Sequence, residues 1–160
     1  MYLVGAALLS LAALMAWRAY ASYLSLQKQG CVAFLSAITD MREKMRCYLY
    51  SPREWSCGYK SEYLSECGFL AALSNGKPLS EAYALSKERI EMCNRADEIL
   101  TELFSGCGEG YLEGELLALD SAVAGLSALK NEMEAQNGKK ARAVGALLGA
   151  IAAGVAILAL

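Results

Sequence analysis

"CVAFLSAITDMREKMRCYLY", Cys31–Tyr50, decides the fold class. Its apolar side chains fall at Cys31, Phe34, Ile38, Met41, Met45 and Tyr48, in steps of 3, 4, 3, 4 and 3. That spacing is one face of an α-helix packed in a coiled-coil seam, whereas a half-buried strand would alternate at every second residue. No alternating run longer than a few residues occurs, and the chain holds only two prolines. The expectation is an all-α protein with a helical-bundle core.

Downstream, the helix should stop near Tyr50, because the residue before Pro52 is disfavoured in the αR region. "SPRE" then reads as a fresh start, with Ser51 as N-cap, Pro52 as first helical residue and Glu54 closing a capping box. A short helix follows, to about Gly58. Ser61–Leu73 predicts another, with Asn75-Gly76 as its stop signal. Ser80 can cap the next, whose apolar face is Tyr83, Ile90, Cys93, Ala96, Leu100, Leu103 and Phe104. "SGCGEG", Ser105–Gly110, breaks it. Leu112, Leu119, Leu126 and Met133 then recur every seven residues, with Leu116 and Val123 between them. A helix over Tyr111–Gln136 follows, about 37 Å long. Lys130 takes the next intervening position, so the seam weakens there, and Asn137-Gly138 marks a stop or a kink. The two long seams would pack on each other or on another subunit.

The two ends differ from this core. The chain has 160 residues and is 56% hydrophobic, yet Met1–Trp17 and Ala143–Leu160 carry no charge, and Arg18–Arg142 holds all 32 charged side chains. Each uncharged stretch is just long enough to cross a hydrocarbon core of about 30 Å as a helix. The expected organisation is a transmembrane helix over 1–21, a cytoplasmic helical bundle domain over 22–138 and a C-terminal transmembrane helix over 139–160. Ala19-Tyr20-Ala21 resembles a signal-peptidase site, but no cation precedes the apolar run and Arg18 would sit in the cleavage region. The first helix therefore reads as an uncleaved anchor. Lys and Arg lie on the core side of both stretches, Arg18 and Lys28 after the first, Lys130, Lys139, Lys140 and Arg142 before the last. Both place the core in the cytoplasm and both termini outside. Within the last stretch Gly145, Gly149 and Ala153 form a small-residue row, a face for membrane helix packing against a partner or a second copy.

The chemistry expected of this chain is binding. No histidine is present, which removes the commonest general base and metal ligand. Gly106, Gly108 and Gly110 alternate, but Tyr111 stands where a phosphate-binding G-x-G-x-x-G loop needs its last glycine, and Glu109 would repel phosphate. Glu109, Glu113 and Glu115 read as the solvated start of a helix, where acids complement the dipole, in preference to a cation site. The mildly acidic core argues against nucleic acid. Six cysteines (Cys31, Cys47, Cys57, Cys67, Cys93 and Cys107) show no C-x-x-C pair, and a cytoplasmic core would keep them reduced. Trp55 and Tyr59, at i and i+4, are a candidate partner surface, with packing inside the core as the competing reading. No catalytic residue, cofactor or metal is expected.

Three stretches resemble a known family. "YLYSPREW" resembles an aromatic, then Ser/Thr-Pro, then an acidic residue opening a short helix; "FLAALSNGKPLSEAY" resembles a helix, a Gly turn and a Leu-x-Glu-Ala start. "KKARAVGALLGAIAAGVAILAL" resembles a basic run leading to a Gly step, here Val144-Gly145, with Gly149 four residues on. In this order they are similar to the stage III sporulation protein AB family, itself related to the inner-membrane platform proteins of type II secretion systems. The loop before the long helix departs from the family's Leu-Gly, Asp and Gln: Cys107-Gly108, Tyr111 and Glu115 stand there. The resemblance implies a non-enzymatic sporulation membrane protein in the mother-cell membrane around the forespore, a platform or component of a secretion-like channel. Its partners would be other membrane proteins of that channel and a secretion-type ATPase, and a homo-oligomer is compatible with it. The alternative is an exported, disulfide-bonded helical protein with a C-terminal membrane anchor.

Overall fold

A computed structural model describes residues 2–107 and 112–158, and all regular structure among them is α-helix. The described helices are α1 (Tyr2–Tyr48), α2 (Pro52–Gly58), α3 (Glu62–Glu66), α4 (Phe69–Ser74), α5 (Leu79–Lys87), α6 (Asn94–Gly106) and α7 (Leu112–Leu158). The all-α expectation holds. Two compact units divide the chain, one made of Met1–Leu26 with Glu132–Leu160, the other of Gln27–Asn131.

The helices at the two ends are longer than the sequence signals suggested. Cys31–Tyr50 is the last part of α1, and Tyr111–Gln136 falls within α7; each is 47 residues long. Asn137-Gly138 neither stops nor breaks α7. One glycine in a helix interior costs only about 1 kcal/mol relative to alanine, and the good helix formers Ala135, Gln136, Lys139 and Lys140 flank the Asn-Gly pair. The Gln136 Nε2 amide donates to Glu132 Oε1 at 2.8 Å, one turn back on the same helix.

Within Gln27–Asn131, α1 buries Cys31, Phe34, Ala37, Ile38, Met41 and Met45. Tyr48, the sixth seam position expected, is instead 62% exposed, at the residue where the helix ends. From α7 come Leu119, Ala122, Leu126 and Leu129. The intervening seam positions are thus Ala122 and Leu129, one residue before the expected Val123 and Lys130, and the seam stays apolar to its end. Cys31 Sγ lies 3.9 Å from the Leu126 carbonyl, and Arg42 pairs with Asp120 at 2.9 Å, so α1 and α7 run antiparallel here. The two seams pack in one core rather than each awaiting another subunit.

Phe34 stands at the centre, with ring centroids 5.3 Å from Phe69 and 5.6 Å from Tyr83, both edge to face, and 6.4 Å from Phe104. Four helices therefore meet at one aromatic cluster. Truncating such a ring to alanine costs about 3–5 kcal/mol. Gly30 sets how closely α1 can approach its neighbours: a Cβ there would stand 2.8 Å from the Tyr63 hydroxyl and 2.9 Å from the Glu91 carbonyl oxygen.

The short elements follow local rules, with three corrections. Ser51 and Glu54 form the expected capping box, the Glu54 N–H donating to Ser51 Oγ and the Ser51 N–H to Glu54 Oε2, and α2 ends at Gly58. The predicted Ser61–Leu73 helix is two helices, because Gly68 turns the chain at φ +85. Ser80 does not cap α5; Pro78 is the N-cap, and its carbonyl accepts the first helical bond, from Ala82 N–H. The face from Tyr83 to Phe104 belongs to two helices, not one. In an unbroken helix residues 14 apart stand about 21 Å from each other, yet Tyr83 Oη donates to Asp97 Oδ1 at 2.8 Å, and Lys87 Nζ bonds the other carboxylate oxygen at 2.7 Å.

In the other unit, Leu11, Leu14 and Met15 of α1 and Leu147 and Ile151 of α7 are exposed. Among the described residues no helix is long and apolar enough to cross a membrane. Much of both stretches read as spans lies outside that description, namely the side chains of 1–4, 6–10, 141, 152–153 and 155–160.

Candidate functional site

The capping box fixes α2 so that Trp55 and Tyr59 face α1. Their rings stack with centroids 4.7 Å apart and planes at 28°. Trp55 is 2% exposed and its Nε1–H donates to Asp40 Oδ2 at 2.8 Å; the half-buried Tyr59 donates its hydroxyl to Ser36 Oγ at 3.2 Å. The pair singled out as a candidate partner surface is thus engaged within its own chain, and Trp55 offers almost no area to a second protein. Beside it runs a polar groove of about 360 Å³ lined by Asp40, Lys44, Tyr50, Glu54 and Lys60. Hydrogen bonds from the Ser51 backbone and hydroxyl hold the Glu54 carboxyl below its ordinary range, so this groove carries acid and base side by side.

A different recess lies at Arg53, and sequence periodicity had given no sign of it. Met41 and Met45 from α1, Leu79 from α5 and Leu119 from α7 line a cleft of about 290 Å³. Arg53, Lys77 and Glu115 are its charged lining, and Cys107 contributes a thiol. Lys77 is paired with Glu81. Gly76 shapes one wall, taking φ +83, a conformation costly for any residue with a Cβ. The only sequence hint was the Asn75-Gly76 turn, which reads as punctuation. Methionine-lined apolar recesses adapt to varied side chains.

At the end of α1 and just beyond it, Tyr48, Leu49 and Tyr50 are all exposed. Leu49 is 72% exposed and takes φ +55, the one described non-glycine residue in the left-handed region. That conformation costs a β-carbon residue about 1–2 kcal/mol. The Tyr48 and Tyr50 rings lie 5.8 Å apart, and Lys44 Nζ stands 5.3 Å from the centre of the Tyr48 ring.

Burial holds the Cys31, Cys67 and Cys107 thiols in their neutral form. Burial pushes Cys31 up to about 11, with Cys93 adding to the effect; burial and then Glu115 push Cys107 up to about 11. Neutral thiols are poor nucleophiles and poor metal ligands. All six cysteines are free. Among the described residues no three His, Cys, Asp or Glu side chains converge to hold a metal ion. Glu109 lies outside the described residues, so the acidic trio of the sequence is represented by Glu113 and Glu115 in the first turn of α7.

Of the helix-packing row, Gly145 and Gly149 lie in α7, and a Cβ built on either would meet no described atom within 4 Å. The side chain of Ala153 lies outside the described residues.

The fold and its recesses define a class, an all-α bundle with two recesses lined in part by short helices. Comparison with known proteins adds no relative: no family model, no curated protein and no solved structure matches the chain.

Proposed function

We propose that this chain is a non-enzymatic, membrane-held scaffold, a platform or component of a secretion-like channel between mother cell and forespore. Its place would be the mother-cell membrane around the forespore, with Gln27–Asn131 in the cytoplasm and both termini outside. One observation carries the membrane part of this reading. The two uncharged stretches, more than a hundred residues apart in sequence, fall in one compact unit composed of the two chain ends alone. The helical segments 2–26 and 132–158 are about 37 and 40 Å long at 1.5 Å per residue, enough to cross a core of about 30 Å. The one-sided distribution of Lys and Arg supplies the orientation.

The scaffold part rests on the cleft of Met41, Met45, Leu79 and Leu119 and on the exposed Tyr48–Tyr50 segment, which suit docking better than chemistry. A secretion-type ATPase is the cytoplasmic partner that the family resemblance implies. Other channel proteins, or a second copy, would meet the Gly145–Gly149–Ala153 face. Free thiols throughout favour this reading over the exported, disulfide-bonded alternative.

The test is topology. A reporter active only outside the cytoplasm should work when fused after Leu160 and fail when fused after Gly76. The reverse pattern would overturn both the orientation and the platform reading, and two silent fusions with the chain recovered in the soluble fraction would overturn the membrane reading itself.

A further inference from the structure

We infer that Arg18, Lys139, Lys140 and Arg142, together with Trp17, form a binding site for anionic phospholipid headgroups; the inference rests on the membrane reading above. Three cations of the other unit are paired within the chain: Arg42 with Asp120, Lys77 with Glu81 and Lys87 with Asp97. The four of the terminal unit are not. All are exposed, and no ion pair among the described residues involves any of them. The sequence offers them few counter-charges, since α1 has no acid before Asp40 and α7 has none after Glu134. Four exposed cations without an internal partner are a site for external anions.

Helix continuity places them together. Because α7 continues through Gly138, Lys139, Lys140 and Arg142 share one turn of regular helix, with Lys139 and Arg142 three residues apart on adjoining positions. All four cations belong to the same compact unit, made of Met1–Leu26 with Glu132–Leu160. On both helices they stand where the uncharged stretch meets the rest of the sequence.

The aromatic residues point to a lipid surface rather than to a soluble anion. Trp17 precedes Arg18 directly, and Tyr20 and Tyr23 follow within two turns, both exposed. Amphipathic rings at the boundary of an apolar span settle at headgroup level, and basic residues there attract anionic lipid over zwitterionic lipid. A phosphodiester headgroup with net negative charge fits the tier; phosphatidylcholine, whose charges cancel, does not.

The experiment reads the fluorescence of Trp17 in the full chain reconstituted into vesicles. Trp55, buried in the other unit, supplies a steady background, and Trp17→Phe removes the quenchable part. Phosphatidylglycerol or phosphatidylcholine with acyl chains brominated near the headgroup is titrated into unbrominated phosphatidylcholine. In 0.1 M salt phosphatidylglycerol should associate about fivefold more strongly, and the ratio should fall toward one in 1 M salt, where screening reaches about 3 Å. Replacing Lys139, Lys140 and Arg142 together by glutamine should bring the ratio near one at either salt. Equal quenching by the two lipids in the native chain at 0.1 M salt overturns the inference while leaving the membrane reading standing. A fivefold ratio unmoved by salt overturns it as well, and this arm needs no variant to fold. No quenching by either lipid overturns the membrane reading and the inference with it.

Discussion

Two leucines on one helix live in different worlds. Leu126 of α7 is fully buried against Cys31 of α1; Leu147, 21 residues further along the same helix, is 63% exposed. The same contrast runs along α1, where Ile38 is 1% exposed and Leu14 is 56% exposed. Backbone and side-chain type are shared, so neither explains the difference. In Gln27–Asn131 five short helices fill the space beside the two long ones, and apolar surface is removed from water by other side chains. In the terminal unit no short helix does so, and Leu11, Leu14 and Leu147 there stay exposed. Burial worth about 25 cal/mol per Å² is collected from neighbouring side chains in the first region and forgone by those exposed leucines in the second.

The largest effect should separate the regions outright. Leu119→Asp puts an unpaired charge into a position that is 1% exposed and should cost about 4 kcal/mol or more, unfolding the bundle. Leu147→Asp, at an exposed position, should leave the urea midpoint of the detergent-solubilised chain within about 0.5 kcal/mol of native while blocking membrane insertion. Circular dichroism and carbonate extraction read the two outcomes, and equal loss of helix in both variants would erase the distinction.

Gly30→Val sharpens the boundary of the bundle. The new side chain would meet the Tyr63 hydroxyl and the Glu91 carbonyl, and overpacking of this kind costs about 1–3 kcal/mol. Gly5→Val, where a Cβ has open space, should change the same melting curve little.

In the terminal unit the corresponding test is association. Gly149→Ile should weaken pairing in a membrane two-hybrid assay by about 1–2 kcal/mol, with Ala150→Ile on a neighbouring face as control. Equal signals from both variants would mean that the glycines are composition only.

The smallest effect is alkaline. The Cys31 thiol titrates near its ordinary value of 9.0 in the unfolded chain and near 11 in the fold, because burial disfavours the thiolate. Its contribution is therefore complete below pH 9 and is lost as the pH rises toward 11. The unfolding free energy should fall across that window, and Cys31→Ala should flatten the fall. An unchanged slope in the variant would show that Cys31 is not the group responsible.

Much of this was legible in the sequence. Ser51, Pro52 and Glu54 act locally, through bonds within one turn, and the capping box is where it was expected. Five of six α1 seam residues are buried, since a sustained 3-4 period has one structural meaning. What escaped the sequence needed a partner from far away. Nothing in "KERIEMC" forces a break, yet Asp97 must turn back to reach Tyr83 and Lys87. Gly138 carried the sign of a helix stop, but the helix formers on both sides overrode it. Trp55 read as a possible anchor for another protein because the sequence could not show Asp40 waiting for its indole. The cleft of Met41, Met45, Leu79 and Leu119 draws on three helices, so no single stretch announces it.

The contact between Cys31 and Leu126 also sets an order of events during synthesis. The two residues are separated by 95 positions, and translation proceeds at roughly 5–20 residues per second. For roughly 5–20 s after Cys31 leaves the ribosome, then, its covering strip on α7 does not yet exist. Phe34 gains Phe69 first, Tyr83 next and Phe104 after that, so the aromatic centre assembles in the order in which its members are made. Leu119 and Leu126 are made last. The nascent chain therefore carries an open, methionine-rich furrow along α1 throughout that interval, and the closing helix is the same one whose far end bears the second uncharged stretch.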